Sequence, residues 1–371
     1  MNEAILVNEI QPRSRVAAMP EYHPPLGNRD RLRLDFNENT LACSPAIKIA
    51  IENISAADLT HYPERGPVEA LAAAHLGLRT EQVILTNGVD EAIHVLCQAF
   101  LDTGDEFLLP VPTYTMYEIY ASATDARIVR IQASADFRFP FKALLSAITP
   151  RTKIIAIANP NSPTGSIADR QQILAIAAAA PGALVLVDEA YFHFYGQTMI
   201  DLIDQVPNLL VARTFSKAYG LAGLRLGLLA GQEKHLRWIR RVLSPYSVNC
   251  VALAALTAAL NEESSPHRQS YLNWYVSEVK QARTDFLAGL TQIGLQYWPT
   301  EANFVLVNIG PAHQQFVAQL RTEGILVRDR SADPGCDGLV RITIGTREQM
   351  SKALCAIQRT LVSIGLTGEK R

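Results

Sequence analysis

The sequence predicts an α/β fold: a large part with a mostly parallel seven-stranded sheet flanked by helices, followed by a smaller α+β part. Three observations carry this expectation. From about residue 66, short β-branched runs alternate with Ala/Leu-rich helical stretches, the pattern of strand–helix–strand units. The runs TKIIAIA (152–158) and ALVLV (183–187) are apolar almost throughout, as strands covered on both faces are. Beyond about residue 262 the alternation gives way to one long helical pattern and only a few strands.

Residues 1–40 are irregular and rich in Pro, Arg and Asn, and read as an extended arm that packs on the small part or on a partner subunit. The strand-like runs of the large part, 41–262, are 82–85, 106–111, 126–131, 152–158, 183–187, 208–212 and 225–230. Helix-period segments at 89–101, 114–123 and 169–180 lie between them. The polar turn NEESSPH closes this part. The small part, 263–371, opens with a helical pattern at 267–293, where Tyr275, Val279, Ala282 and Phe286 fall on one face. Strands are expected at 304–309, 325–329 and 339–344, and helices at 312–323 and 347–364.

The 371 residues carry 34 basic and 36 acidic side chains, a net charge of −2, so nothing draws the whole surface to nucleic acid or to an anionic membrane. Five cysteines, Cys43, Cys97, Cys250, Cys336 and Cys355, show neither CxxC nor metal-ligand spacing; they read as reduced thiols with no metal site. The most apolar stretch, 173–187, is broken by Pro181 and Gly182 and is too short to span a bilayer. The N-terminus lacks the pattern of a signal peptide. A soluble cytoplasmic protein is the expectation.

In open α/β sheets, ligands sit at the carboxyl ends of strands. Polar residues cluster at those ends here. After 82–85 comes Thr86-Asn87-Gly88-Val89-Asp90-Glu91, where Gly88 permits a tight turn and the first helical N–H groups form an anion site or are simply capped. After 106–111 comes Tyr114, a ring that can stack on a planar ligand. After 152–158 comes the rigid turn Asn159-Pro160-Asn161-Ser162-Pro163-Thr164-Gly165. After 183–187 comes Asp188-Glu189-Ala190-Tyr191, a carboxylate that needs a partner: a protonated ring nitrogen, a cap or an ion pair. After 208–212 comes Thr214-Phe215-Ser216-Lys217, with Arg225 eight residues past the lysine. A lysine in small, apolar surroundings loses its charge more easily, as imine chemistry requires, whereas most single lysines sit on solvated loops. Together these residues supply a phosphate cradle, a ring stacker, an acid for a ring nitrogen, a phenol and an amine. Pyridoxal 5′-phosphate needs that set of partners.

Asp188-Glu189-Ala190-Tyr191, Ser216-Lys217 and Gly223-Leu224-Arg225-x-Gly227 resemble the signature of fold type I, class I/II aminotransferases. Asn37-Glu38-Asn39, Tyr62-Pro63, Asp90-Glu91, PTYTMY (112–117), VRD (327–329) and LVRITIGT (339–346) are most similar to the histidinol-phosphate aminotransferase branch. The resemblance implies pyridoxal phosphate bound to Lys217 as a Schiff base, with Lys217 also moving the proton. It implies Asp188 on the pyridine nitrogen, Tyr191 on the ring O3′ and Tyr114 stacked on the ring. The Gly88, Val89 and Asp90 backbone, Ser216, Arg225 and Thr214 would hold the phosphate. Tyr62 would reach it from the partner subunit of a homodimer. Arg341 would bind the substrate's anionic group, and Tyr22 and Arg328 its phosphate.

The chain departs from the family pattern at one point: Ser162 stands where the family has the Asn that supports O3′. Asn161, one residue earlier, is expected to take over that role. The implied reaction is transamination between L-histidinol phosphate and 2-oxoglutarate. Aromatic amino acid transamination and threonine-phosphate decarboxylation are the alternatives. A PLP-sensing regulator would need an additional DNA-binding domain, and a nicotinamide oxidoreductase would need a clearer glycine fingerprint than GLAGLRLG.

Overall fold

The computed structural model describes residues 10–24, 27, 30–265 and 270–366. The start of the expected N-terminal arm and the end of the polar turn NEESSPH lie outside the described residues. Strand β1 (Leu32–Leu34) stands apart from the next seven strands and joins a second sheet. The large sheet consists of β2 (Val83–Thr86), β3 (Glu106–Val111), β4 (Arg127–Gln132), β5 (Thr152–Ala158), β6 (Leu184–Asp188), β7 (Leu209–Thr214) and β8 (Gly227–Gly231). Their order is β2-β8-β7-β6-β5-β3-β4. Strands β7, β6, β5, β3 and β4 are mutually parallel, and β8 runs antiparallel to both β2 and β7. The expected seven-stranded, mostly parallel sheet is therefore present.

Alternation along each strand divides the core into two layers. Ile155, Ile157, Val185, Val187, Leu209 and Val211 enter one apolar cluster. Ile154, Ala156, Leu184, Leu186, Leu210 and Ala212 enter the other. Coverage on both faces explains why these strands read as unbroken apolar runs. It also leaves polar residues at the strand ends as the only ones that can meet a ligand.

The helix Tyr271–Gln292 buries Tyr275, Val279, Ala282 and Phe286, the face expected from their spacing. Ser270 caps it by accepting from the Asn273 amide. The second sheet follows, with β9 (Tyr297–Trp298), β10 (Phe304–Asn308), β11 (Ile325–Asp329) and β12 (Leu339–Thr343). Its order is β1-β11-β12-β10-β9. Strand β1 pairs parallel with β11, Leu32 opposite Ile325 and Leu34 opposite Val327. The expectation that residues 1–40 are irregular is thus corrected. Three residues are too few to show alternation, and this strand is defined by the edge of β11, nearly 300 residues away. Residues 35–40 then run from this small sheet onto the carboxyl end of the large one, where they meet Tyr191, Lys217 and Ala218. Among the described residues, no helix is long and apolar enough to cross a membrane.

Candidate active site

The anion-binding end is built where β2 turns into the helix Gly88–Phe100. No side chain caps the first turn of this helix, so its N–H groups remain available. Gly88 sits at φ 77°, and a Cβ there would lie 2.7 Å from the Arg225 guanidinium. A Cβ on Gly227 would lie 2.7 Å from the Gly88 carbonyl carbon and the Val89 nitrogen. Both glycines are therefore required for close approach of backbone to backbone and of Arg225 to the helix start. Arg225 Nη2 meets Asp90 Oδ2 at 2.9 Å, and the Tyr114 hydroxyl donates to Asp90 Oδ1 at 2.8 Å. Val89, Asp90, Arg225 and Tyr114 thus gather over one helix start, beside the turn that carries Ser216. Thr214 is turned differently: its hydroxyl accepts from the Ser216 amide at 3.1 Å, and the residue lines a separate cavity of about 420 Å³ with His193, Arg213 and Tyr219.

Asp188 ends β6 fully enclosed. Its Oδ2 accepts from the Tyr117 hydroxyl at 2.6 Å and its Oδ1 from the Ala190 amide at 3.0 Å. No cationic side chain pairs with it among the described residues. Burial pushes its carboxyl up to about 6, with those two hydrogen bonds opposing. Lys217 is half-buried, and burial pulls its ammonium below the ordinary lysine range while the nearby Tyr191 opposes. Its Nζ donates to the Phe36 carbonyl at 2.9 Å. A half-buried amine poised to lose its proton and a buried carboxylate without a cation are what an aldehyde cofactor with a basic ring nitrogen requires.

The small sheet supplies the arginines. Arg341 on β12 is 8 % exposed. Its Nη1 donates to Ser162 Oγ at 2.9 Å and its Nη2 to the Asp35 carbonyl at 2.6 Å. Its Nε has no partner, and no carboxylate pairs with it among the described residues. Burial lowers its guanidinium to about 10, and Arg330 and Arg328 add to the effect. Arg328 stands opposite Arg341 in the β11–β12 ladder, lies over the Phe36 ring and donates to the Tyr22 hydroxyl at 3.4 Å. This part of the site has cations waiting for an anion.

Asn161 is a correction. Its Nδ2 donates to the Pro112 carbonyl and to Thr164 Oγ1, and its Oδ1 accepts from Thr113 Oγ1. The amide is consumed by Thr164 of its own loop and by Pro112 and Thr113 of the loop after β3, and is not free to support a ring oxygen. Ser162 faces Arg341 instead. The residue that reaches the Tyr191 phenol is Asn37, whose Nδ2 donates to it at 2.9 Å. Tyr62 is 77 % exposed and packs, tilted, against Tyr246 with ring centroids 4.4 Å apart rather than against any residue of its own chain's site. Sequence reasoning missed Phe36, Asn37 and Tyr117 as site residues. The NEN triplet and the second tyrosine of PTYTMY were the signals present.

The fold and this site define a lysine-centred α/β enzyme with an anion cradle on one sheet and arginines on another. Residues 29–357 match the family of class I and II aminotransferases. The histidinol-phosphate aminotransferase of Geobacillus sp. (strain WCH70) is 34 % identical over 367 residues, covering 94 % of this chain and 98 % of that one. That of Moorella thermoacetica is 34 % identical over 369 residues, covering 97 % and 92 %. A structure of histidinol-phosphate aminotransferase from Sinorhizobium meliloti in complex with pyridoxal-5′-phosphate superposes with a TM-score of 0.86 at 23 % identity, covering 96 % of this chain and 99 % of that one, and shows the shared fold. The chain belongs to the class I and II aminotransferases, and it is a transferase.

Proposed function

We propose that the chain binds pyridoxal 5′-phosphate and transfers an amino group between L-histidinol phosphate and 2-oxoglutarate. When bound, this cofactor supplies an electron sink for charge developing at the donor's Cα. The residues present fit it: the uncapped helix start with left-handed Gly88 and close-packed Gly227, buried Asp188 and half-buried Lys217 match its phosphate, ring nitrogen and aldehyde.

The first-turn N–H groups of Gly88, Val89 and Asp90, with Ser216 and Arg225, hold the phosphate, while Thr214 supports the turn by accepting from the Ser216 backbone amide. Tyr62 of a second copy completes that pocket in a homodimer; its exposure in a single chain supports this reading. Asp188 keeps the ring nitrogen protonated, and Tyr191 hydrogen-bonds the ring hydroxyl. Tyr114 covers one ring face. Lys217, whose ammonium burial makes easier to deprotonate, would take the Cα proton and return it on the cofactor side. Arg341 receives the anionic group of either substrate, the acceptor's carboxylate or the donor's phosphate, and Arg328 and Tyr22 help to hold that phosphate. The observation that carries the substrate reading is the buried Arg341, unpaired beside Arg328, within a chain whose relatives bear the name histidinol-phosphate aminotransferase.

A donor screen tests it. The loaded enzyme is mixed in turn with histidinol phosphate, phenylalanine, tyrosine, aspartate and threonine phosphate. The change in its visible band and the release of CO2 are followed. Histidinol phosphate should react fastest without CO2. A fast response to aspartate or phenylalanine alone, or CO2 from threonine phosphate, would overturn the assignment.

A further inference from the structure

We infer that Asn37 is a positioning residue for Tyr191: it fixes the direction in which the phenol donates its proton and so tunes the cofactor's ring oxygen. The inference rests on the pyridoxal phosphate reading above.

Three observations carry it. Asn37 is 1 % exposed and sits at φ 54°, a left-handed conformation that a non-glycine residue keeps only when its surroundings hold it. Both ends of its side chain are engaged: Nδ2 donates to the Tyr191 oxygen at 2.9 Å, and Oδ1 accepts from Thr343 Oγ1 at 3.2 Å. Its backbone is held as well. The Asn37 amide donates to Thr343 Oγ1 at 3.0 Å, and the Asn303 side chain donates to the Asn37 carbonyl at 3.1 Å.

The Thr343 hydroxyl sets which way the amide faces. It accepts from the Asn37 backbone amide and donates its own proton to Oδ1, and in this arrangement the NH₂ end faces Tyr191. A phenol has one proton to give and two lone pairs to receive with. With one lone pair filled by Asn37, the Tyr191 proton is free to point at the ring O3′. Accepting from Asn37 also polarises the phenol and strengthens that donation. The usual helper of this oxygen is absent, since Ser162 is committed to Arg341 and Asn161 to Pro112, Thr113 and Thr164. Asn37 reaches the Tyr191 phenol from the segment that follows β1.

Removing the amide makes the Tyr191 donation weaker and O3′ more basic. The proton shared between O3′ and the Lys217 nitrogen is then held to higher pH. The ionisable groups that bear on that nitrogen are Tyr191, Arg341, Glu38 and Asp90. Asn37 is uncharged at every pH, so its influence passes through Tyr191.

The test is the pH midpoint of the visible band of the loaded enzyme. Asn37→Gly keeps the left-handed backbone and should raise the midpoint by roughly half a pH unit to one unit, the size of one hydrogen bond. Thr343→Val keeps the shape, frees the amide to flip and should shift the midpoint the same way by less. In a Tyr191→Phe background both shifts should vanish. Unchanged midpoints in Asn37→Gly and Thr343→Val, or equal shifts with and without the Tyr191 hydroxyl, would overturn the inference while leaving the cofactor assignment intact. If Asn37→Gly does not load cofactor, Thr343→Val decides. Absence of any visible band in the wild-type protein would instead refute the cofactor reading, and this inference with it.

Discussion

The region around Glu189 and the region around Asp188 treat buried charge in opposite ways, although the two residues are neighbours in sequence. Glu189 accepts from Arg213 Nε at 2.7 Å, Thr198 Oγ1 at 2.8 Å and the Met199 amide at 2.6 Å. Arg213 in turn stacks on Phe192 at 3.4 Å. That cluster is closed: each charge has its partner inside the chain. Asp188 has only neutral donors, Lys217 only a carbonyl, and Arg341 a serine, a carbonyl and one unpartnered nitrogen. Buried charges are normally paired, because leaving water uncompensated is costly. The closed cluster is structural. The open set is a site whose missing partners are those of a ligand.

Substitutions on the two neighbours separate these roles. Glu189→Gln strands a buried Arg213 and should cost about 3–5 kcal/mol of stability, read as a lower denaturation midpoint. Asp188→Asn should do the reverse. Burial raises the Asp188 pKa to about 6, so at pH 8 the folded chain bears the cost of the charged form, and that cost fades as pH falls below about 6. The amide removes it, so the cofactor-free variant should be at least as stable as wild type at pH 8. Turnover should nevertheless fall on the order of 10²- to 10³-fold, the size of losing one preorganised electrostatic partner. A stable Glu189→Gln protein, or an active Asp188→Asn one, would erase the distinction.

Smaller effects refine it. Arg341→Gln keeps a donor for Ser162 but removes the charge, and kcat/KM for histidinol phosphate should fall about 10- to 100-fold, the size of a charge-assisted hydrogen bond. Cofactor uptake by the empty protein should weaken as pH drops through about 6, where Asp188 gains its proton. Binding measured across pH 5–8 checks this. Glu189→Gln removes a minor like charge beside Asp188 and should move that midpoint only slightly, downward.

The large sheet was legible in the sequence because strands buried on both faces leave unbroken apolar runs, as in β5 and β6. Asp188, Tyr191 and Lys217 stood out because each closely follows such a run, and Arg225 because it lies eight residues past the lysine. Strand β1 was not, since Leu32–Leu34 is three residues long and depends on β11 for its existence. Asn161 was misjudged for a related reason. Its amide partners Thr113 and Pro112 lie almost fifty residues earlier, and nothing local announces that they consume it. Asn37 was visible only as part of a triplet, because its partner Tyr191 is 154 residues away. Tyr117 looked like any aromatic residue on a helix until its hydroxyl was seen on Asp188.

The central claim is that Lys217 is the amine that binds the cofactor. Wild-type protein loaded with pyridoxal 5′-phosphate, reduced with borohydride and digested should carry the label on the peptide containing Lys217 and nowhere else, and Lys217→Ala protein should carry none. A label on another lysine, or equal labelling of the Lys217→Ala protein, would contradict the account.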